Sequence, residues 1–138
     1  MAFITNARAI SILDAIDTAI GTSGLVKVYD ATGGVPATLD TALTSQVLLA
    51  ELTLDATNAF GAATDANPGA TMTANAVTND ASANATGTPA FARIQTSGAT
   101  DVLQVTAAVG SGELNFTTSI TSGQPVAISS FVLTMAEG

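Results

Sequence analysis

The sequence predicts a mainly β protein: an antiparallel β-sandwich of about seven strands, preceded by one N-terminal α-helix. Three observations favour this fold class. Apolar residues alternate with polar ones in several short segments, polar turns separate these segments at intervals of about 8–15 residues, and a helical period occurs only near the start of the chain. Residues 1–24 are therefore predicted as a helical segment and residues 25–138 as the β-sandwich domain.

The helix is predicted over residues 5–20, where one apolar face recurs at helical spacing. That face consists of Ala9, Ile12, Leu13, Ile16 and Ile20. Thr5 or Asn6 is placed to cap the N-terminus, and Gly21 is placed to end the helix.

The rest of the chain is predicted as short strands joined by polar turns. These strands cover residues 25–30, 47–54, 71–77, 90–96, 101–107, 113–118 and 126–135. The strand 47–54 starts with an apolar run on both faces, so we expect it in the centre of a sheet. Phe116 and Phe131 are expected in the core. Asp55–Gly69 has few apolar anchors and is predicted as a loop.

The composition disfavours an enzyme. The chain has no histidine, cysteine or tryptophan and a single lysine, whereas histidine, cysteine, lysine and clustered carboxylates perform most enzymatic acid–base and nucleophilic chemistry. We therefore predict no catalytic, cofactor-binding or metal-binding residue, and we expect no cofactor. Lys27 is interpreted as a solvated strand residue rather than as half of a Ser–Lys dyad, and nothing in the sequence links Glu51 with Glu113.

Two Asx-containing segments resemble metal ligands only superficially. Asp65–Gly69 and Asn79–Asp80 lack the alternating acidic spacing of a calcium loop. We interpret both as turns in which an Asx side chain bonds to nearby backbone.

The charge balance bears on the class of partner. Eleven acidic and three basic side chains give a net charge of −8, which disfavours nucleic acids and anionic membranes as partners. No segment approaches the roughly 18 apolar residues of a membrane span, and no secretory signal is recognised, so synthesis in the cytoplasm is expected. Only 10% of residues are charged; this suits a surface packed against neighbours, although compositional drift explains the bias equally well.

Two basic residues have structural interpretations. Arg8 is placed to pair with Asp14 or Asp17, which are predicted on the side of the helix opposite its apolar face. Phe91 and Arg93 share one strand face, and Arg93 is interpreted as a structural or inter-subunit ion-pair partner rather than a phosphate contact.

The order of several segments resembles that of a group of small structural proteins of tailed-phage virions. These segments are Asn6-Ala7-Arg8-Ala9-Ile10, Leu13-Asp14-Ala15-Ile16, Gly24-Leu25-Val26-Lys27-Val28-Tyr29-Asp30, Leu48-Leu49-Ala50-Glu51-Leu52-Thr53-Leu54, Ala85-Thr86-Gly87-Thr88-Pro89-Ala90-Phe91-Ala92-Arg93-Ile94, Glu113-Leu114-Asn115-Phe116-Thr117-Thr118-Ser119-Ile120 and Val126-Ala127-Ile128-Ser129-Ser130-Phe131. The resemblance spans nearly the whole chain. It implies a head decoration (capsid cement) protein on the capsid surface of the virion, which binds the major capsid protein as a homo-oligomer, with a trimer favoured.

Alternative functions remain open. One is a structural protein of the tail or of the head–tail junction. Another is a carbohydrate-binding β-sandwich, for which Tyr29 is the candidate aromatic platform; the competing interpretation puts Tyr29 at a sheet edge or in a subunit contact. For the decoration role, the candidate contact elements are Met1–Ile20 and Asp55–Gly69, and no small-molecule substrate is expected.

Overall fold

The computed structural model describes residues 3–136, which contain one helix and eight strands. The elements are α1 (Asn6–Ile20), β1 (Leu25–Tyr29), β2 (Leu48–Thr53), β3 (Thr64–Asp65), β4 (Ala70–Thr73), β5 (Phe91–Gln95), β6 (Asp101–Val109), β7 (Leu114–Phe116) and β8 (Ser130–Met135). The predicted mainly β class with an N-terminal helix is confirmed. The strands form one sheet in the order β2-β1-β5-β6-β7-β8-β4-β3, so the two separate sheets of a sandwich are not confirmed.

The sheet curls around a single hydrophobic core. Leu52 of β2 and Met72 of β4 belong to the same buried cluster, although their strands lie near opposite ends of the sheet order. The sheet must therefore fold over on itself. Phe116 and Phe131 lie in this core, as predicted, and the ring of Phe131 meets that of Phe60 edge-on with centroids 5.0 Å apart.

Helix α1 packs on the core side of the sheet and has the predicted ends. The Thr5 side chain accepts a hydrogen bond from the backbone N–H of Arg8, and Gly21 donates its N–H to the carbonyl of Asp17. The buried face of the helix consists of Ala9, Leu13 and Ile20, with Ile16 partly buried. Ile12 is 39% exposed; its predicted place on the buried face is wrong, because the packed stripe is narrower than the apolar pattern.

The central position predicted for the second strand is wrong. β2 is the terminal strand of the sheet, and the irregular segment 78–84 covers its outer edge. Thr53 forms an antiparallel bridge with Thr78, and the carbonyl of Leu49 accepts a hydrogen bond from the N–H of Asn84 at 2.8 Å. An apolar run indicates shielding from water, and here irregular backbone helps to provide that shielding in place of a second flanking strand.

β6 and β7 form the one parallel pair in a sheet whose other pairs within residues 3–136 are antiparallel. Parallel neighbours usually need a long crossover, yet only residues 110–113 connect these strands. Gly110 and Gly112 have φ angles of 77° and 85°, a region that glycine adopts without steric cost. The Glu113 carboxylate closes the loop by accepting hydrogen bonds from the backbone N–H of Thr106, at 2.9 Å, and from its hydroxyl.

Several predicted segments differ in extent, among them the strand predicted over 113–118, which is shortened to β7. The strand predicted over 71–77 is shortened to β4, and the last strand begins at Ser130 rather than at residue 126. The predicted loop Asp55–Gly69 contains the two-residue strand β3, which pairs with β4. These strands depend on distant partners, which a local alternation of apolar residues does not encode.

Candidate functional site

The two candidate contact elements lie against each other. The Asp17 carboxylate of α1 accepts a hydrogen bond from the backbone N–H of Phe60 at 2.9 Å, and Asp14 accepts one from Ala63 at 3.3 Å. The predicted pairing of these acids with Arg8 is not formed within residues 3–136. Both carboxylates instead hold the loop that follows β2.

Asn6 adds a second connection between the helix and the loop. Its Nδ2 donates to Asp65 at 2.7 Å, and its Oδ1 accepts from the backbone N–H of Gly69 at 2.8 Å. Residues 6–20 and 55–69 therefore form one continuous surface, which we call the helix–loop surface. Met1 and Ala2, the first residues of the predicted contact element, lie outside the described residues.

A repeated pattern, Asp-Ala followed by Thr, Asn or Ser, forms four Asx turns. In each turn the Asp Oδ1 accepts a hydrogen bond from the backbone N–H two residues later, at 2.7–3.0 Å; the acids are Asp30, Asp55, Asp65 and Asp80. The turn interpretation of Asp65–Gly69 and Asn79–Asp80 thus agrees with the structure. Two of the turns also reach distant backbone, since Asp30 accepts from Val47 and Asp80 accepts from Glu51.

In two of these turns, those of Asp30 and Asp55, the hydrogen bonds favour the ionised carboxylate. The hydroxyl of Thr32 is the main cause that lowers the pKa of Asp30. The backbone N–H groups of Thr57 and Asn58 lower the pKa of Asp55. The acids of this chain therefore act as acceptors that hold irregular backbone in place.

Arg93 lies on the face of the sheet opposite the core and is 5% exposed. It forms an ion pair with Asp101, Nη1 to Oδ2 at 2.9 Å, and donates to the carbonyl of Thr41. Gln104, opposite Arg93 on β6, donates to the carbonyl of Pro36 at 2.8 Å. The predicted structural ion pair of Arg93 is thus present within the chain, and residues 31–46 form a cover over this outer face.

The cover leaves some polar atoms unsatisfied. Three buried side-chain atoms on the outer face of β5 and β6 have no hydrogen-bond partner among residues 3–136: Arg93 Nε, Gln95 Oε1 and Gln104 Oε1. Gln95 does use its Nε2, which donates to Asp101 at 2.6 Å.

Tyr29 does not form a surface platform. It is 8% exposed and stacks on Phe91, with ring centroids 5.1 Å apart. Burial raises the pKa of its hydroxyl. β1 lies between β2 and β5, so the predicted position of Tyr29 at a sheet edge is also wrong.

Lys27 and Glu51 face each other across β1 and β2. Their Nζ and Oε2 atoms are 3.6 Å apart, and both side chains are partly exposed. A pair of this kind contributes little to stability. Lys27 is thus a paired strand residue, and Glu113 has a separate partner in Thr106.

Few charged side chains lack a partner. Of the ten acids within residues 3–136, only Asp40 has neither a hydrogen bond nor an ion pair, and of the three bases only Arg8 has no side-chain partner there. The large apolar side chains exposed in the same range are Phe3, Ile12, Val35 and Val109. Most charged side chains in this range therefore have a partner within the fold.

Two surface cavities have neutral linings. One of about 370 Å³ is lined by residues 116–121 and 124–127, and one of about 290 Å³ lies between residues 73–79 and 128–131. Hydroxyl and amide groups are the polar groups available in both. In the described part of the chain, no three acids, histidines or cysteines group together as metal ligands would.

No helix within residues 3–136 has the length and apolar character that crossing a membrane requires.

Comparison with known proteins identifies no relative, because no family model, no curated protein and no solved structure matches the chain.

Proposed function

We propose that this chain is a non-enzymatic structural protein of a tailed-phage virion, which decorates the capsid lattice and stabilises it. The observation that carries the proposal is the use of the charged side chains. Nine of the ten acids within residues 3–136 bond to backbone or to side chains of the fold itself. Acids used in this way fix the conformation of the surface loops. A subunit that binds a lattice needs such a fixed surface to present to its partner.

The helix–loop surface is the element proposed to contact the major capsid protein. Asp14, Asp17 and Asn6 fix the loop to the helix, so the loop does not have to be ordered when it binds. Pre-ordered surfaces bind with a smaller entropic cost. The exposed side chains of this surface are mostly small, which allows close approach to another protein.

Decoration stabilises a shell by adding buried area. A subunit that bridges the junction between neighbouring capsid proteins binds the intact lattice and not its separated parts, so binding raises the free energy needed to take the lattice apart. Each contact can be modest, because the effect is repeated over every equivalent junction. The sequence resemblance supports the head as the site of binding.

The proposal is tested by adding the purified protein to expanded capsid shells, from the phage that encodes it, that lack this protein. We expect co-sedimentation that saturates at hundreds of copies per shell and a higher temperature of shell disruption. Binding to tails with six or twelve copies, and not to shells, would show that the tail alternative is correct.

A pair of variants locates the contact. Ala66 is exposed on the helix–loop surface and Ala127 is exposed beside the cavity of about 370 Å³, so Ala66→Glu and Ala127→Glu introduce the same charge at two places. We expect Ala66→Glu to weaken shell binding about tenfold, which corresponds to about 1.4 kcal/mol, and Ala127→Glu to leave it unchanged. The opposite ranking would assign the contact to the other surface.

A further inference from the structure

β7 is shorter than the strands on either side of it. It pairs with β6 along residues 107–109 and with β8 at residues 130 and 131. Residues 103–105 of β6 and 133–135 of β8 continue past β7 and face each other across a gap. Because β7 separates β6 from β8, the gap beside it is one strand wide, about 10 Å between the two flanking strands. We call this gap the strand slot.

Backbone groups without partners face the strand slot from both sides. Successive residues of a strand direct their N–H and C=O groups to alternate sides. Ala107 donates its N–H on the β5 side, so Gln104 directs its own backbone groups to the slot. Phe131 accepts a hydrogen bond on the β4 side, so Thr134 likewise faces the slot. Neither Gln104 nor Thr134 has a backbone hydrogen bond on this side within residues 3–136, which leaves two donors and two acceptors.

Apolar side chains line the inner part of the strand slot. A cavity of about 110 Å³ lies between Leu103 of β6 and Leu133 of β8, with Leu13 and Ile16 of α1 as its floor. An apolar cavity of about 150 Å³ can hold benzene, so this cavity has room for one aliphatic side chain. Because α1 closes the slot on the core side and Thr134 is exposed, the slot opens on the outer face of the sheet, away from the exposed side of α1.

The charge at the end of the strand slot comes from Glu113, the only charged residue that lines the cavity within the described part of the chain. Its Oε2 accepts hydrogen bonds from Thr106, whereas its Oε1 has no hydrogen-bond partner among residues 3–136. A free carboxylate oxygen attracts a cation, and the net charge of −8 strengthens that attraction. A basic side chain is therefore the complement of this end of the slot.

We propose that the strand slot binds an extended segment of a partner protein, which adds a strand between β6 and β8. The segment has valine or isoleucine where its side chain points to Leu13 and Ile16, and lysine or arginine beside Glu113. In this mode of recognition main-chain hydrogen bonds provide affinity, and pockets for alternate side chains provide specificity. The proposal concerns a different opening from the capsid contact and does not depend on the capsid role.

The required basic residue favours another protein over a second copy of this chain. Lys27 and Arg93 lie within paired strands, and Arg8 lies in α1. None of the three bases of the chain therefore lies in an extended segment that is free to enter the slot of a neighbour.

Synthetic peptides test the proposal on the purified full chain. Lys-Val-Thr-Val-Thr and Thr-Val-Thr-Val-Lys, both acetylated and amidated, place the lysine beside Glu113 for the two possible strand directions. In the free protein the amides of Gln104 and Thr134 should exchange with solvent faster than those of Val105 and Leu133, which bond to β5 and β4. One of the two peptides should bind and slow exchange at Gln104 and Thr134, measured by NMR. N-methylation of its central threonine should weaken binding about tenfold, because it removes a main-chain donor.

Matched variants of the protein test the same hydrogen bonds from the other side. Thr134→Pro removes the N–H that faces the slot without removing a bond to β4, and Thr134→Ala keeps that N–H. We expect Thr134→Pro to weaken peptide binding about tenfold and Thr134→Ala to change it less than about twofold. Circular dichroism verifies folding, and if Thr134→Pro does not fold, the N-methylated peptide on the wild type decides the question.

Glu113→Gln tests the charge. It should weaken binding of the lysine peptide about threefold and leave binding of the same peptide with glutamine in place of lysine unchanged. Equal effects on both peptides would contradict the role of Glu113. Absence of binding by both lysine peptides, or binding that neither N-methylation nor Thr134→Pro weakens, would overturn the proposal. Protection of Gln104 and Thr134 without peptide that rises with protein concentration would assign the slot to a second copy and would also overturn it.

Discussion

Aromatic side chains fix the centre of the core at the scale of single residues. Phe131 is fully buried and packs edge-on against Phe60. Phe131→Ala should lower the free energy of unfolding by about 3–5 kcal/mol, because it removes this contact and leaves a cavity. Urea denaturation measures the change.

The control for Phe131→Ala is Val109→Ala, which shortens an apolar side chain that is exposed. Its effect should stay within about 0.5 kcal/mol. Equal effects of the two substitutions would mean that Phe131 does not pack as described. The prediction that Phe131 is buried needed only its place in an apolar alternation, which is a local property of the sequence.

The structural use of the acids was only partly predictable from the sequence. The Asp-Ala-Thr, Asp-Ala-Asn and Asp-Ala-Ser triplets give a local indication of Asx turns, and all four such turns form. The distant backbone groups that also bond to these acids were not indicated by any local pattern. The bond from Glu51 N–H to Asp80 joins residues that the fold alone brings together.

Elements differ in how far local sequence determines them. α1 was predicted to within one residue of its start, because Thr5, Gly21 and the helical period all act within the helix. The position of β2 was not, because strand order depends on residues far apart in the chain, and β1 pairs with β5 as well as with β2. The apolar pattern of a strand indicates how far the strand is buried from water. It does not identify the segment that buries it.

The connection between α1 and the loop 55–69 gives a prediction at the scale of elements. Asp17→Ala removes the acceptor of the Phe60 N–H and should lower the free energy of unfolding by about 1–3 kcal/mol. The amide of Phe60 should also exchange with solvent faster in native-state hydrogen exchange, because the loop is released locally.

Thr18→Ala is the matched control on the same helix, since the Thr18 hydroxyl bonds only to the carbonyl of Asp14. It should leave exchange at Phe60 unchanged. If Thr18→Ala and Asp17→Ala accelerate exchange equally, fraying of the helix rather than loss of the carboxylate is responsible.

At the scale of the whole molecule, the protein combines a single curled sheet with one segment packed on each of its two faces. α1 lies on the core side and residues 31–46 lie on the outer side, where they bond to Arg93 and Gln104. Irregular segments thus perform part of the shielding that a second sheet provides in a sandwich. Carboxylates hold much of this irregular backbone, and two of them, Asp30 and Asp55, have lowered pKa values in the folded state.

Acid should therefore unfold the protein through these carboxylates. The pKa values of Asp30 and Asp55 are lowered in the folded state, so their contribution is present above the ordinary Asp value of about 4 and is lost as the pH falls through the lower folded values. We expect the free energy of unfolding to change little between about pH 7 and 5 and to decrease below about pH 4. Chemical denaturation at a series of pH values measures this curve.

Removing the ionisable groups isolates their share of the effect. The combined variant Asp30→Asn, Asp55→Asn cannot protonate at these positions, so its stability should decrease less steeply below about pH 4 than that of the wild type. Asp40→Asn removes an acid without partners in the described range and should keep the wild-type slope. If the combined variant and Asp40→Asn have the same slope, acid sensitivity arises from the net charge of the molecule and not from the Asx turns.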